Sequence, residues 1–275
     1  MKILFYCDEY PPAKHGGIGS VVKIVAEALV NKGHEIFVVG TYEYGHGLDH
    51  FTKVNGVKIY RLTHFKYLKY IPNFCIRIIN KILRDLYILN YGAIKSIKKT
   101  EDFIDILIKN EKIDCLELVD YTSLLKFLRK EINFREFDIP TIMRVHGSPS
   151  FLLRYQNKID DVWLKNDINN FKRCDKFSAV SKFSANYTIE SLNVIKKNLN
   201  VIYNPVEKKF LACTPKIGEA NKILFVGKVV ETKGAFSLIK AFNLIAKNHE
   251  DLEIIFIGGG NIKVARGLVK KEFRD

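Results

Sequence analysis

Short apolar runs alternate with helical patterns from the first residues onward. KILFYC (2–7) is apolar and short, and HGGIGS (15–20) is a glycine-rich loop. VVKIVAEALVNKG (21–33) then sets Val22, Val25, Ala26, Leu29 and Val30 at helical spacing before a stop at Gly33. EIFVVG (35–40) is a second buried run, so residues 2–40 read as a β-α-β unit of a parallel, doubly wound sheet. KIYRL (58–62), DCLELVD (114–120), TIMRVHG (141–147) and KFSAVS (176–181) read as further strands with helical patterns between them, and SKFSANYTIESLNV (181–194) as a helix.

NVIYNPV (200–206) is a short strand closing on an Asn-Pro turn, and the polar EKKFLACTPKIGEAN (207–221) that follows is the expected linker. The pattern then restarts with KILFVG (222–227), an amphipathic helix over AFSLIKAFNLIAKNH (235–249), and the strand LEIIFIGGG (252–260). Phe236, Ile239, Phe242, Leu244 and Ile245 form the apolar set of that helix. The expected class is α/β, with a complete Rossmann-like domain over 1–205 and the start of a second over 206–275. Two strands and one helix cannot cover both faces of a parallel sheet, so the second domain reads as incomplete.

Composition narrows the class. Apolar residues make up 47% and charged residues 27% of the 275, the balance of a chain that buries a core. Cys7, Cys75, Cys115, Cys174 and Cys213 show no metal or disulfide spacing, which points to a reducing cytoplasm. The first apolar run is too short for a signal peptide, and charges interrupt every other run before it reaches the length of a membrane span. The net charge is +14, and more than half of it falls between Arg61 and Thr100, where nine cations meet one acid. Aromatic and aliphatic residues alternate there with Lys66, Lys69, Arg77, Lys81 and Arg84, a pattern that suits an anionic membrane or acceptor surface. The alternative is a pair of core-facing helices with solvated basic faces. No nucleic-acid motif accompanies the charge, so a nucleic-acid partner is not expected.

Three loops at strand ends carry candidate chemistry. Gly16, Gly17 and Gly19 lie between a strand and a helix, where outward amides and the helix dipole favour a phosphate. The same glycines also make a tight turn. The loop lacks both the full dinucleotide fingerprint and the Lys-Ser/Thr ending of a P-loop. Lys228 and Lys233 in GKVVETKG (227–234) flank a second loop, and two ammonium groups there neutralise a diphosphate, unless they are ordinary surface lysines. His146 follows the strand TIM and is either a hydrogen-bonding group for substrate or a satisfied structural histidine. The other histidines show no metal spacing, and no metal site is assigned.

Taken in order, EYPPAKHGGIGSVVKIVAEALVNKGHEIFVVG, RVHG, CDKFSAVSKFSANYTI, VIYNPVE, ILFVGKVVETKGAFSLIKAF and LEIIFIGGG resemble glycosyltransferase family 4 across nearly the whole chain. The resemblance implies the GT-B fold, with acceptor mostly on the first domain and nucleotide-sugar mostly on the second. It implies hexosyl transfer with retention from a nucleotide-sugar to a surface-glycan or lipid-linked acceptor, without cofactor or metal, at the cytoplasmic face of a membrane in polysaccharide biosynthesis. Gly16, Gly17, Gly19, Lys228 and Lys233 become donor diphosphate residues, and His146 the residue near the transferred sugar. The family usually has Arg where this chain has Lys228, which replaces a bidentate grip by a point charge. The family's glutamate pair, separated by seven residues, falls beyond Asp275, so the expectation is a truncated chain, inactive alone or completed by another polypeptide. The competing readings are a fragment that binds acceptor, membrane or a partner chain, and a GT-B nucleotide-sugar epimerase. An NAD-dependent oxidoreductase would want an acid at the end of EIFVVG, which runs instead into Gly40, Thr41 and Tyr42, with Glu43 later.

Overall fold

The computed structural model describes residues 1–13, 15–64, 88–155, 160–192, 199–212, 221–249 and 251–269. Lys66, Lys69, Arg77, Lys81 and Arg84 lie outside the described residues. The chain divides into two compact units, Met1–Phe210 and Leu211–Asp275.

Unit 1 is built on β1 (Lys2–Tyr6), β2 (Glu35–Glu43), β3 (Phe51–Val54), β4 (Val57–His64), β5 (Cys115–Val119), β6 (Thr141–Val145), β7 (Lys176–Ala179) and β8 (Leu199–Val201). These form one sheet in the order β3-β4-β2-β1-β5-β6-β7-β8, parallel except for β3. Chain order reverses direction between β1 and β5, which makes their carboxyl ends the topological switch point where open α/β sheets bind ligands.

Alternate side chains of each strand enter different cores. Leu4 and Tyr6 of β1 join Phe37, Val39, Leu116, Leu118, Met143 and Val145 on one face. Ile104, Leu107 and Ile108 of α2 (Ile88–Glu111) and Phe171 of α4 (Asp161–Lys172) cover that face. Phe5, Ile36, Val38, Val57 and Ile59 point the other way, under Val22 and Ala26 of α1 (Gly17–Asn31). Burial on both faces is why these strands read as continuous apolar runs. The stop at Gly33 is a Schellman motif, with His34 N donating to Leu29 O at 3.1 Å and Gly33 N to Val30 O at 2.9 Å. α3 (Pro149–Tyr155) and α4 follow β6, and α5 (Lys182–Leu192) follows β7. Lys95, Lys98 and Lys99 of α2 are exposed, whereas Arg61, counted with the basic stretch, is buried in β4, where Nη1 donates to Thr52 Oγ1 and Asp49 O.

In unit 2, β9 (Lys222–Val226) and β10 (Glu253–Ile257) pair in parallel, after the short α6 (Lys208–Leu211) that ends at the division. Ile239 of α7 (Ala235–Ile245) and Ala265 of α8 (Ile262–Leu268) cover Phe225 and Phe256 on one face. Leu224, Val226, Ile255 and Ile257 of the other face are exposed.

Three readings are corrected. α1 begins at Gly17, so Gly17 and Gly19 lie in its first turn and not in a loop. α7 ends at Ile245, and Leu244 is 77% exposed, so neither belongs to a longer buried stripe. β3 was not expected, although Asn55-Gly56 forms the left-handed hairpin turn that joins it to β4, with φ of 49° and 82°. Among the described residues no helix is long and apolar enough to cross a membrane.

Candidate functional site

The switch point of unit 1 is lined by acids at strand ends. Asp8 follows β1, and its Oδ2 accepts from Ser123 N at 2.7 Å, tying the β1 and β5 loops together. Asp120 follows β5 and is 1% exposed; Oδ1 accepts from His146 N and Oδ2 from Gly147 N, each at 2.9 Å. Asp167 on α4 accepts from Ser150 N at 2.9 Å and from the Ser150 hydroxyl. Three carboxylates thus stitch the β1, β5 and β6 loops to one another and to α4.

Burial dominates the electrostatics. It lifts the Asp8 carboxyl to about 6, and the Asp120 carboxyl to about 7 with Asp167's negative charge adding to the rise. Asp167 is lifted to about 6 by burial against the opposing Ser150 and Ser148 hydrogen bonds. His146 goes the other way, pushed down to about 4 by burial and then by the neighbouring Arg144 cation. Its imidazole is therefore neutral at physiological pH, a hydrogen-bonding group and not a cation. Nε2 is buried without a hydrogen-bond partner, which leaves one polar atom for a ligand to meet. Arg144 itself reaches Ile202 O at 3.3 Å and Asn204 Oδ1 at 3.4 Å, anchoring β6 to the Asn-Pro segment after β8.

The glycines divide by environment. Gly19 is buried, and a Cβ there would lie 1.9 Å from Glu9 O, so the first turn of α1 runs against the chain leaving β1. Gly17 faces open space. Gly16 N donates to Glu9 Oε2 at 3.0 Å, so this amide meets a carboxylate of the chain itself. Asp8 and Asp120 were legible as acids closing buried runs, KILFYCD and CLELVD, but neither was singled out. Asp167 sits within a helix and carries no sequence signal.

In unit 2, Lys228 and Lys233 are both exposed and lie on either side of a turn, Lys233 closing the 3-10 turn Glu231–Lys233 before α7. The turn is held by Lys233 N to Val230 O at 3.1 Å and Gly234 N to Glu231 O at 2.8 Å. The loop after β10 runs beside it: Gly227 N donates to Ile257 O at 2.9 Å, Val229 N to Gly259 O at 2.8 Å and Asn261 N to Val229 O at 2.9 Å. A Cβ on Gly258 would lie 2.0 Å from Gly227 O, so these two backbones touch.

Comparison with known proteins follows the same lines. The chain is 24% identical over 279 residues to an uncharacterized glycosyltransferase of Methanocaldococcus jannaschii, covering 96% of this chain and 64% of that relative. The chain therefore spans slightly less than two thirds of that relative's length. Among solved structures it resembles sucrose-phosphate synthase of Thermosynechococcus elongatus, with a TM-score of 0.62 at 13% identity over 94% of this chain and 70% of the other. It also resembles Anabaena HepE in complex with UDP and glucose, with a TM-score of 0.57 at 14% identity over 98% of this chain and 65% of the other. The fold is α/β of the GT-B-like class. A sequence profile described as Glycosyltransferase Family 4 matches residues 15–210, most of the chain, and the chain belongs to that family.

Proposed function

We propose that this protein transfers a hexosyl unit from a nucleotide-sugar to a surface-glycan or lipid-linked acceptor, with retention of configuration. The observation that supports it most is the meeting of Asp8, Asp120 and the neutral, partly unpartnered His146 at the switch point of a family 4 chain. In this reading His146 hydrogen-bonds the transferred sugar, and the Gly16, Gly17 and Gly19 segment approaches the donor diphosphate. Lys228 and Lys233 hold the diphosphate and stabilise the departing nucleoside diphosphate, supplying the positive charge that a divalent ion supplies elsewhere. HepE, bound to UDP and glucose, supports a nucleotide-sugar as the substrate class. An acceptor at the cytoplasmic membrane face is part of this reading, supported by the exposed Lys95, Lys98 and Lys99 and by the skew of the basic stretch 61–100 towards cations.

The test is incubation with UDP-, ADP- and GDP-hexoses and a panel of glycan and lipid-linked acceptors. Release of nucleoside diphosphate with a product of the donor's anomeric configuration is expected. No release above solvent hydrolysis with any donor overturns the transfer, and an inverted product overturns the retention.

A further inference from the structure

Asp120 is buried to 1% exposure, and desolvating a carboxylate at that depth costs several kcal/mol unless donors are directed at it. Both donors come from the main chain of two consecutive residues, His146 N and Gly147 N, each at 2.9 Å. Two bonds from a rigid strand end to adjacent amides fix two peptide planes at once. Gly147 sits at φ +134°, in a region that side-chain-bearing residues avoid, so the loop leaves β6 by a path that glycine permits. A few residues on, the Asp167 carboxylate receives Ser150 N at 2.9 Å. The stretch from His146 to Ser150 is thus gripped at both ends by carboxylates from other elements, β5's end and α4. With its main chain held, the His146 side chain keeps only its own two torsions, and its Nε2 is the buried atom left without a partner.

We propose that Asp120 is the positioning residue for His146, its carboxylate holding the two amides that set where the imidazole stands, with Asp167 holding the far end of the same loop. The proposal rests on the reading of His146 as the group beside the transferred sugar. Asp120 acts through His146 and is not placed in contact with substrate. The charged groups around the pair are Asp167 against Asp120 and Arg144 against His146.

The test is an NMR titration of the full chain from about pH 8.5 to about pH 5.5, a window that contains the Asp120 step near 7 and excludes the His146 ring step near 4. The amide protons of His146 and Gly147 are expected to move together with one midpoint near 7. In Asp120→Asn, an amide presents its NH2 to one of the two donors. The shared step is then lost, and in a separate titration of both chains continued to about pH 3.5 the His146 ring midpoint rises from about 4 by about one pH unit or more towards its ordinary value. Absence of a shared step in the unsubstituted chain overturns the proposal whether or not the variant folds. An unchanged His146 midpoint in a folded variant also overturns it. Failure to detect sugar transfer overturns the proposed function and leaves this titration intact. A missing shared step removes the positioning role and leaves transfer intact.

Discussion

The Glu9 carboxylate receives the Gly16 N–H at 3.0 Å, so the amide that opens α1 is already met by an anion of the same chain. If a donor diphosphate approaches this segment, it competes with Glu9. Glu9→Gln keeps the shape and removes the charge, and is expected to tighten binding of inorganic pyrophosphate and UDP by about three- to tenfold. Calorimetric titration of both chains checks it; unchanged or weaker binding removes the Gly16 amide from the diphosphate site.

Gly17 and Gly19 separate conformational from steric demand. Gly19→Ala drives a Cβ into Glu9 O and is expected to destabilise unit 1 by about 2 kcal/mol or more, since main chain must move. Gly17→Ala meets open space on an exposed helical turn and is expected to be neutral or to stabilise by up to about 1 kcal/mol. Urea unfolding of the two variants reads the difference directly.

Glu101 and Arg173 form a buried ion pair at 2.8 Å, and Glu101 also accepts Arg135 N at 3.2 Å. Removing one partner strands the other charge under α2 and α4. Glu101→Ala is expected to cost about 3–5 kcal/mol, read as a lower denaturation midpoint with an unchanged slope. A cost below about 1 kcal/mol would mean that water reaches Arg173 when its partner is gone.

Asp120 makes stability depend on pH with a definite sign. Its folded carboxyl titrates near 7 against an ordinary 3.8, so the folded state holds the proton more tightly than the unfolded state. Its stabilising contribution is therefore fully present below about 3.8, is lost as pH rises towards 7 by up to about 1.4 kcal/mol per pH unit, and is gone above 7, where both states are ionised. Asp8 and Asp167 act with the same sign from about 6 downward. His146 and His64, both near 4 against 6.5, act oppositely below pH 6.5, because the unfolded chain then binds protons that the folded one refuses. Denaturant midpoints are expected to rise from about pH 8 to about pH 6.5, and Asp120→Asn is expected to flatten that segment.

Lys228→Ala and Lys233→Ala are each expected to weaken UDP or ADP binding by about tenfold at low salt and less at high salt, because both ammonium groups are exposed and screened. Lys228→Arg is expected to match or exceed the unsubstituted chain by gripping phosphate bidentately. Equal binding by all three variants would separate these lysines from the diphosphate.

The sheet was readable in the sequence because strands such as KILFYC and EIFVVG are buried on both faces and leave unbroken apolar runs. The start of α1 was not, since glycine is a poor helix former and the first turn is held by the close packing of Gly19 on Glu9. Leu244 misled because apolar spacing records what a helix can bury and not what covers it. His146, Lys228 and Lys233 were singled out by their place in loops that follow strands. The acids that organise the switch point were passed over, because a carboxylate bonded to amides 26 residues away, as Asp120 is to His146, shares no local pattern with them.

The contact between the loops after β9 and β10 has a further consequence for sequence change. Gly227 O occupies the place of a Gly258 side chain, and Val229 O lies 2.5 Å from where a Gly260 Cβ would stand. Positions 258 and 260 are therefore closed to any side chain by main-chain oxygens of the first loop, whatever residues stand at 227 and 229. A library that randomises the Lys228 loop to change its ligand should keep Gly258 and Gly260, and loses no members to this contact by doing so.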